Sequence, residues 1–403
     1  MDVIIIGNPW HFGEDNPTSK HHIALELCKQ GHRVLWINSA GMRRPSVGSG
    51  LDRNRIREKI SLAFRGLMKM QERIWVVSPL IVPLPTVGVA RAFNSFIYLL
   101  CALSCAAWLG FRRPLLINFF LMVPGLLKLW PWRSVYYLVD RWDAFSRYDS
   151  RVMSRMNRLS CANADCVIVS ARDLYEDVRD LNPRTYLVPH GVDYEHFARR
   201  FVGEADNRLD VPADVPPGPK IGLIGLLDER VDQDLLRRLA QEIPQAQVLL
   251  VGKQDDISTD KLNDLANLHF LGPRPFRELP KYVASFTVGL IPYLVNEQTL
   301  SVNPIKLREM LAAGCPVVST ALPEVMSVRE RLAGEIGGAG DELTRRTGIW
   351  IAHNHDEFIA QARYLVSQPL TWDERKAVSG LMSSETWSDK VHEILQLALR
   401  AQP

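Results

Sequence analysis

At 403 residues the chain is long enough for two hydrophobic cores of roughly 200 residues each, since single cores stop growing near 250–300 residues. A hydrophobic content of 47% with 23% charged residues excludes disordered and collagen-like classes; six cysteines without a Cys-x-x-Cys pair or Cys/His metal spacing exclude a disulfide framework and imply reduced thiols in a cytoplasm. The net charge of +3 hides an asymmetry, because residues 1–200 hold 27 Lys and Arg against 17 Asp and Glu, and residues 201–403 hold 21 against 28. A basic first half suits an anionic partner, either a phospholipid surface or a pyrophosphate-linked acceptor, and no nucleic-acid recognition motif is present.

The first half alternates strands and helices. Asp2 and the short apolar run Val3–Ile6 do not make a signal sequence, so the run is expected to be a first strand. The loop Gly7–Lys20 follows it, with Gly7, Trp10, His11, Gly13 and Glu14 ahead of a helix over Thr18–Gln30 that ends at Gly31. No G-x-G-x-x-G occurs there, which removes support for a hydride-transferring enzyme. Further strands are expected at Val34–Ile37, Trp75–Val77, Leu115–Phe119, Val135–Val139, Cys166–Ser170 and Tyr186–Val188. The alternation predicts an α/β domain built on a doubly wound parallel sheet.

Two stretches inside this half suggest a membrane surface. Residues 51–73 spread seven Lys and Arg among apolar residues, a pattern that serves a basic amphipathic helix and a solvated core helix equally. Residues 92–111 are free of charge over 20 positions but include Asn94, Ser95 and Ser104. A buried or interfacial helix is expected there, because a spanning one would put paired strands on opposite sides of a bilayer.

Residues 198–219, with Pro212, Pro216, Pro217 and Pro219, read as a linker between a first domain over 1–200 and a second over 220–385. The second repeats the pattern, with strands at Ile221–Gly225, Val248–Val251, Leu268–Leu271, Val288–Ile291 and Pro316–Ser319 and helices at Asp232–Gln241 and Asn303–Ala313. A last helix spans Ser388–Leu399.

The segment Ser301–Thr320, SVNPIKLREMLAAGCPVVST, carries the most chemistry. Asn303 is placed to cap a helix whose first residue is Pro304. Lys306 then lies in the first turn, beside free N–H groups and the positive end of the dipole, a conflict that an anion relieves. Glu309, three residues on and on nearly the same face, suits the hydroxyls of a ribose, so a nucleoside diphosphate fits; a surface helix with one Lys–Glu pair is the plainer reading.

With these residues the segment resembles the donor-binding motif of nucleotide-sugar-dependent glycosyltransferases of the GT-B architecture, two Rossmann-like domains facing across a cleft, and the second half is similar to the glycosyltransferase 1 and 4 families. The resemblance implies an acidic group on the donor ribose at Glu309. Many retaining members carry another Glu eight residues earlier, where this chain has Ser301; Glu297 is the nearby alternative, and inverting or retaining stereochemistry stays open. The stretch Val188–Phe197, VPHGVDYEHF, is similar to the turn that leads into the GT-B linker, with His190 in place of the commoner Asn and Asp193 read as a structural turn residue. The C-terminal helix is implied to cross back onto the first domain, and the loop with Gly7, Trp10 and His11 to border the acceptor side, with His190 near it.

Gly225 and Arg230 in GLIGLLDER stand where such families set a cation against the pyrophosphate; Arg230 could equally pair with Asp228 or Asp232. No Asp-x-Asp motif stands out, so no metal or other cofactor is expected and a lysine/arginine clamp would serve. Asp140, at the C-terminal edge of its strand, and Asp143 are candidates for the general base, similar to the catalytic Asp of inverting GT-B glucuronosyltransferases. Asp140 could instead cap the backbone or bond Arg141. The resulting expectation is a glycosyltransferase moving a sugar from a nucleotide diphosphate sugar, a UDP-sugar first, to a lipid-linked or polysaccharide acceptor at the inner membrane face. The alternatives are a hydrolysing nucleotide-sugar epimerase and a non-catalytic nucleotide-sugar-binding scaffold.

Overall fold

The computed structural model describes residues 1–10, 17–39, 61, 63–84, 86–202, 210–255, 257–338 and 340–400. His11 and most of the basic part of 51–73 lie outside these residues. The chain divides into two units, one running through Pro17–Pro189 with the first strand ahead of it and Lys390–Pro403 behind, the other His190–Asp389. Residues 190–200 thus go with the second unit, because Val192 and Phe197 are buried in its core.

Among the described residues the first unit holds eight strands: β1 Asp2–Gly7, β2 Arg33–Asn38, β3 Met68–Gln71, β4 Ile74–Val77, β5 Leu115–Asn118, β6 Ser134–Leu138, β7 Cys166–Val169 and β8 Thr185–Leu187. Their order is β3-β4-β2-β1-β5-β6-β7-β8. β1, β5, β6 and β7 are buried along their whole length, as continuous apolar runs in a parallel sheet covered on both faces must be. The order reverses beside β1, between β2 on one side and β5 on the other, so the carboxyl ends of β1 and β5 frame a topological switch point. β3 corrects the reading of 51–73 at its end: Met68–Gln71 is an antiparallel edge strand on β4, with half-exposed and exposed residues alternating. Its polar composition suits an edge and hides it from a search for apolar runs.

The long helix Gly88–Trp108 joins β4 to β5, and both of those strands lie in the same sheet. Thr18 closes a capping box with His21 at the start of Ser19–Lys29. At the other end of the unit, the buried Arg184 guanidinium donates to the carbonyls of Leu397 (3.0 Å) and Arg400 (3.2 Å), supplying a cation to the C-terminal end of helix Trp387–Leu399.

The second unit has, among the described residues, β9 Lys220–Ile224, β10 Gln247–Val251, β11 Leu268–Gly272, β12 Val288–Ile291, β13 Val317–Thr320 and β14 Ile349–Ala352 in the order β11-β10-β9-β12-β13-β14, all pairs parallel. Here the switch point lies between β9 and β12. Gly225, just past β9, has φ +128°, and its carbonyl oxygen would be 1.6 Å from a Cβ at Gly252. Two backbones therefore meet after β9 and β10 at a distance that no side chain at Gly252 would allow.

Candidate active site

In the second unit the site is built around helix Ile305–Ala312. The helix starts one residue later than the sequence suggests, with Pro304 at the N-cap and no side-chain cap on the first-turn N–H groups. Asn303 is not the cap. Its Oδ1 accepts from Arg308 Nη1 at 2.8 Å and its Nδ2 donates to Glu324 Oε2 at 3.2 Å, so tertiary partners take the side chain that local rules assign to the helix end. Pro304 offers the first turn no polar side chain, and the positive end of the dipole lies there.

Lys306 lies in that turn. Its stem runs over Gly225, where a Cβ would sit 3.4 Å from Lys306 Cε, and its Nζ donates to Glu309 Oε2 at 2.7 Å. Glu309 is only 2% exposed, whereas a quarter of the Lys306 side chain meets solvent, so the acid is the fixed member and the ammonium the reachable one. An anion at the helix start would meet backbone N–H groups and this ammonium together.

Arg230 takes the pairing alternative. Its guanidinium forks onto Asp228, Nε to Oδ1 at 2.9 Å and Nη2 to Oδ2 at 2.7 Å, and lies 5.5 Å from the Tyr293 ring centroid. Asp232 instead caps Gln233–Glu242 through Leu235 N at 2.9 Å. Arg230 is thus a held cation beside the β12 end, with Leu294 N bonded to its carbonyl at 2.8 Å. Ser301 is fully buried, and Glu297 is exposed at the start of the short helix Glu297–Leu300, so the loop does not bring Glu297 into the Ser301 position.

Sequence reasoning missed the network under this helix. Arg308, 2% exposed, meets Glu385 Oε2 at 3.3 Å, and Arg331 meets Glu385 Oε1 at 3.0 Å. Burial pulls the Arg308 guanidinium below its ordinary value and Glu385 pulls it back. Glu385 lies 77 residues from Arg308, so no local pattern announces the pair.

In the first unit the carboxyl ends of β1, β5 and β6 come together. Gly7 ends β1 under Trp36, where a Cβ would be 2.6 Å from the indole. Trp10 is fixed by its N–H to Asn38 Oδ1 at 2.7 Å and by edge contacts to Trp36 and His21, both at 5.1 Å. Lys20, not singled out from the sequence, is 4% exposed, donates to Asn8 Oδ1 at 3.0 Å and sits 5.8 Å from the Phe119 ring and 5.6 Å from the Trp142 ring. Burial pushes its ammonium from 10.5 down to about 8, against the opposing pull of Asp140. Asp140 follows β6 after Val139, and its carbonyl accepts from Trp142 N at 3.0 Å; Arg141 reaches Asp173 at 2.7 Å. Asp143 points to a different neighbourhood, lining a cavity of about 600 Å³ with Arg151, Arg155 and Arg158. His190 is buried in the turn after β8, its ring 5.9 Å from Trp387, and Asp193 caps Tyr194–Ala198.

Residues 218–368 match the model of the family Glycosyl transferases group 1. The matched part of the C-terminal unit is similar to group 1 glycosyl transferases. A protein of Bacillus subtilis named as a teichuronic acid biosynthesis glycosyltransferase, TuaH, is 28% identical over 268 residues, covering 62% of this chain and 66% of its own, just under two-thirds of its length. Among solved structures, a sucrose-phosphate synthase from Thermosynechococcus elongatus superposes with a TM-score of 0.67 at 17% identity over 98% of both chains. Anabaena HepE in complex with UDP-glucose does so with a TM-score of 0.62 at 12% identity, over 98% of this chain and 99% of the other. At those identities the structures establish the fold, which is GT-B. Family model and relative are both glycosyltransferases, and Lys306, Glu309, Gly225 and Arg230 lie within the matched residues.

Proposed function

We propose that the chain transfers a sugar from a nucleoside diphosphate sugar, a UDP-sugar, to a lipid-linked or polysaccharide acceptor in cell-envelope polysaccharide assembly. The observation that carries the donor reading is Lys306: a reachable ammonium in the uncapped first turn of a group 1 domain helix, held by a buried Glu309. Bound there, the diphosphate takes Lys306 and the helix N–H groups, and Glu309 accepts from the ribose hydroxyls. The charge that develops on the departing diphosphate then meets donors already in place, which lowers the barrier without reorganisation. Arg230, already neutralised by Asp228, holds its loop and tunes the field at the β9 end. The name of the Bacillus relative supports a cell-envelope glycan as acceptor, and the UDP-glucose complex of HepE supports a uridine donor.

On the acceptor side Asp140 is the better base, because it lies just past the carboxyl end of β6 and within electrostatic reach of the buried Lys20 ammonium. The test is release of UDP from a panel of UDP-sugars with a bacterial lipid extract as acceptor. Asp140→Asn is expected to lower transfer about 100-fold or more with UDP affinity unchanged, and Asp143→Asn to lower it less. UDP release that needs no acceptor would favour the epimerase, and UDP binding without turnover in any condition would favour the scaffold.

A further inference from the structure

Helix Gly88–Trp108 has its polarity reversed. The face turned to the protein carries Ala90, Asn94, Ser95, Tyr98, Ala102 and Ala106, all buried. Its polar groups are satisfied locally: the Asn94 side chain bonds both the N–H and the carbonyl of Val82 at 2.9 Å, and Tyr98 donates to the Asn38 carbonyl at 3.1 Å. The outward face carries the large apolar residues, Val89 (81% exposed), Phe93 (50%), Phe96 (49%) and Leu100 (45%), with Trp108 (76%) at the end. Positions 89, 93, 96 and 100 follow the helical repeat, so they form one stripe. Helices on globular proteins normally place such residues inward, and an exposed stripe of this kind marks an interaction site.

The occupant follows from what flanks the stripe. Helix Gly88–Trp108 packs on Pro124–Leu129, which packs on Ser150–Asn163. These neighbours expose Lys128, Arg151, Arg155 and Arg158 next to Leu129 and Leu159, and among the described residues none of the four cations forms an ion pair. Arg91, on the helix itself, lies close enough to Arg155 for the two charges to repel. Asp143 is the acidic residue of the arginine-lined cavity. An apolar stripe beside a cluster of cations is complementary to a bilayer with anionic headgroups. A second copy is disfavoured, since an isologous pairing over this face would bring two arginine clusters to one interface.

We propose that Val89, Phe93, Phe96 and Leu100 seat in an anionic phospholipid surface, with Arg151, Arg155 and Arg158 on its headgroups. The helix lies in the surface rather than across it, because β4 and β5 at its two ends belong to one sheet. The cavity at Asp143 is then presented at headgroup level, where a lipid-linked acceptor carries its phosphates. The docking stands apart from the donor reading, since its test reads binding and not transfer.

Flotation of the full chain with vesicles of phosphatidylcholine, with and without 30% phosphatidylglycerol, tests it directly. The wild type should float with the anionic vesicles only. Phe93→Ser with Phe96→Ser, both at exposed positions, should weaken binding by about tenfold or more for each phenylalanine, and Arg151→Gln with Arg155→Gln and Arg158→Gln should abolish the preference for phosphatidylglycerol. Circular dichroism and UDP binding check that the variants are folded. Equal flotation of wild type and variants, or no flotation of the wild type, would overturn the proposal. So would a wild-type dimer in sedimentation that the Phe93/Phe96 pair converts to monomer, which would assign the stripe to a second copy.

Discussion

Arg308→Met is expected to destabilise the second unit by about 3–5 kcal/mol, the range for removing one partner of a buried ion pair. The methionine fills most of the arginine's volume, so the loss is electrostatic rather than a cavity. Glu385 keeps Arg331 at 3.0 Å, but Arg331 is more than a third exposed, and a solvated partner compensates a buried carboxylate poorly. Asn303 Oδ1 also loses its donor at 2.8 Å, which frees the residue just ahead of the helix start. The measurement is urea denaturation followed through a probe confined to the second unit, because two units need not unfold together. Combining Arg308→Met with Glu385→Leu removes both charges and should recover most of the loss. A single-variant cost below about 1 kcal/mol would mean that the pair is not buried as described.

Lys20→Met is expected to move stability and activity in opposite directions. The folded ammonium has its value at about 8, below the ordinary 10.5, so below pH 8 the folded and unfolded chains are both charged and the folded one bears the full cost of burial. Between pH 8 and 10.5 the unfolded chain binds more protons at this site, and the contribution of Lys20 to stability rises with pH. Methionine removes the charge and its cost. At pH 7 the variant should therefore be more stable by about 3 kcal/mol, and the difference should shrink to near zero above pH 10.5. Transfer should fall, because the ammonium that faces Asp140 is gone. Thermal unfolding of both proteins from pH 7 to 10.5 reads the first effect, and the pH profile of transfer the second. A variant that is less stable at pH 7 would show that Lys20 is a net stabilising residue and that its burial serves packing alone.

Most of the framework was legible in the sequence, for a physical reason. Strands of a parallel sheet covered on both faces are short continuous apolar runs, and β1, β2, β5, β7, β9 and β10 read that way to within a residue or two. What escaped was structure whose partners are remote or whose surface is wet. Met68–Gln71 is polar because it is an edge. Asn303 obeys the local rule for an N-cap until Arg308 and Glu324 claim its side chain. Arg308 itself, in a charged and apolar run, looks like a solvent-facing helix position; only Glu385 reveals it as core. Lys20 gives no signal, since burial of a lysine depends on Phe119 and Trp142 from other parts of the sheet. Lys306 and Glu309 were legible because a three-residue spacing on one helix is itself local.

The central claim is that the start of helix Ile305–Ala312 receives a nucleoside diphosphate, and calorimetric titration of the full chain with UDP, alongside GDP, ADP and dTDP, tests it most directly. The account predicts saturable binding with UDP preferred, and a loss of about 10–100-fold in Lys306→Ala from removing one charge-assisted contact. Nucleotide binding that Lys306→Ala leaves unchanged, or no binding of any of the four, would contradict it.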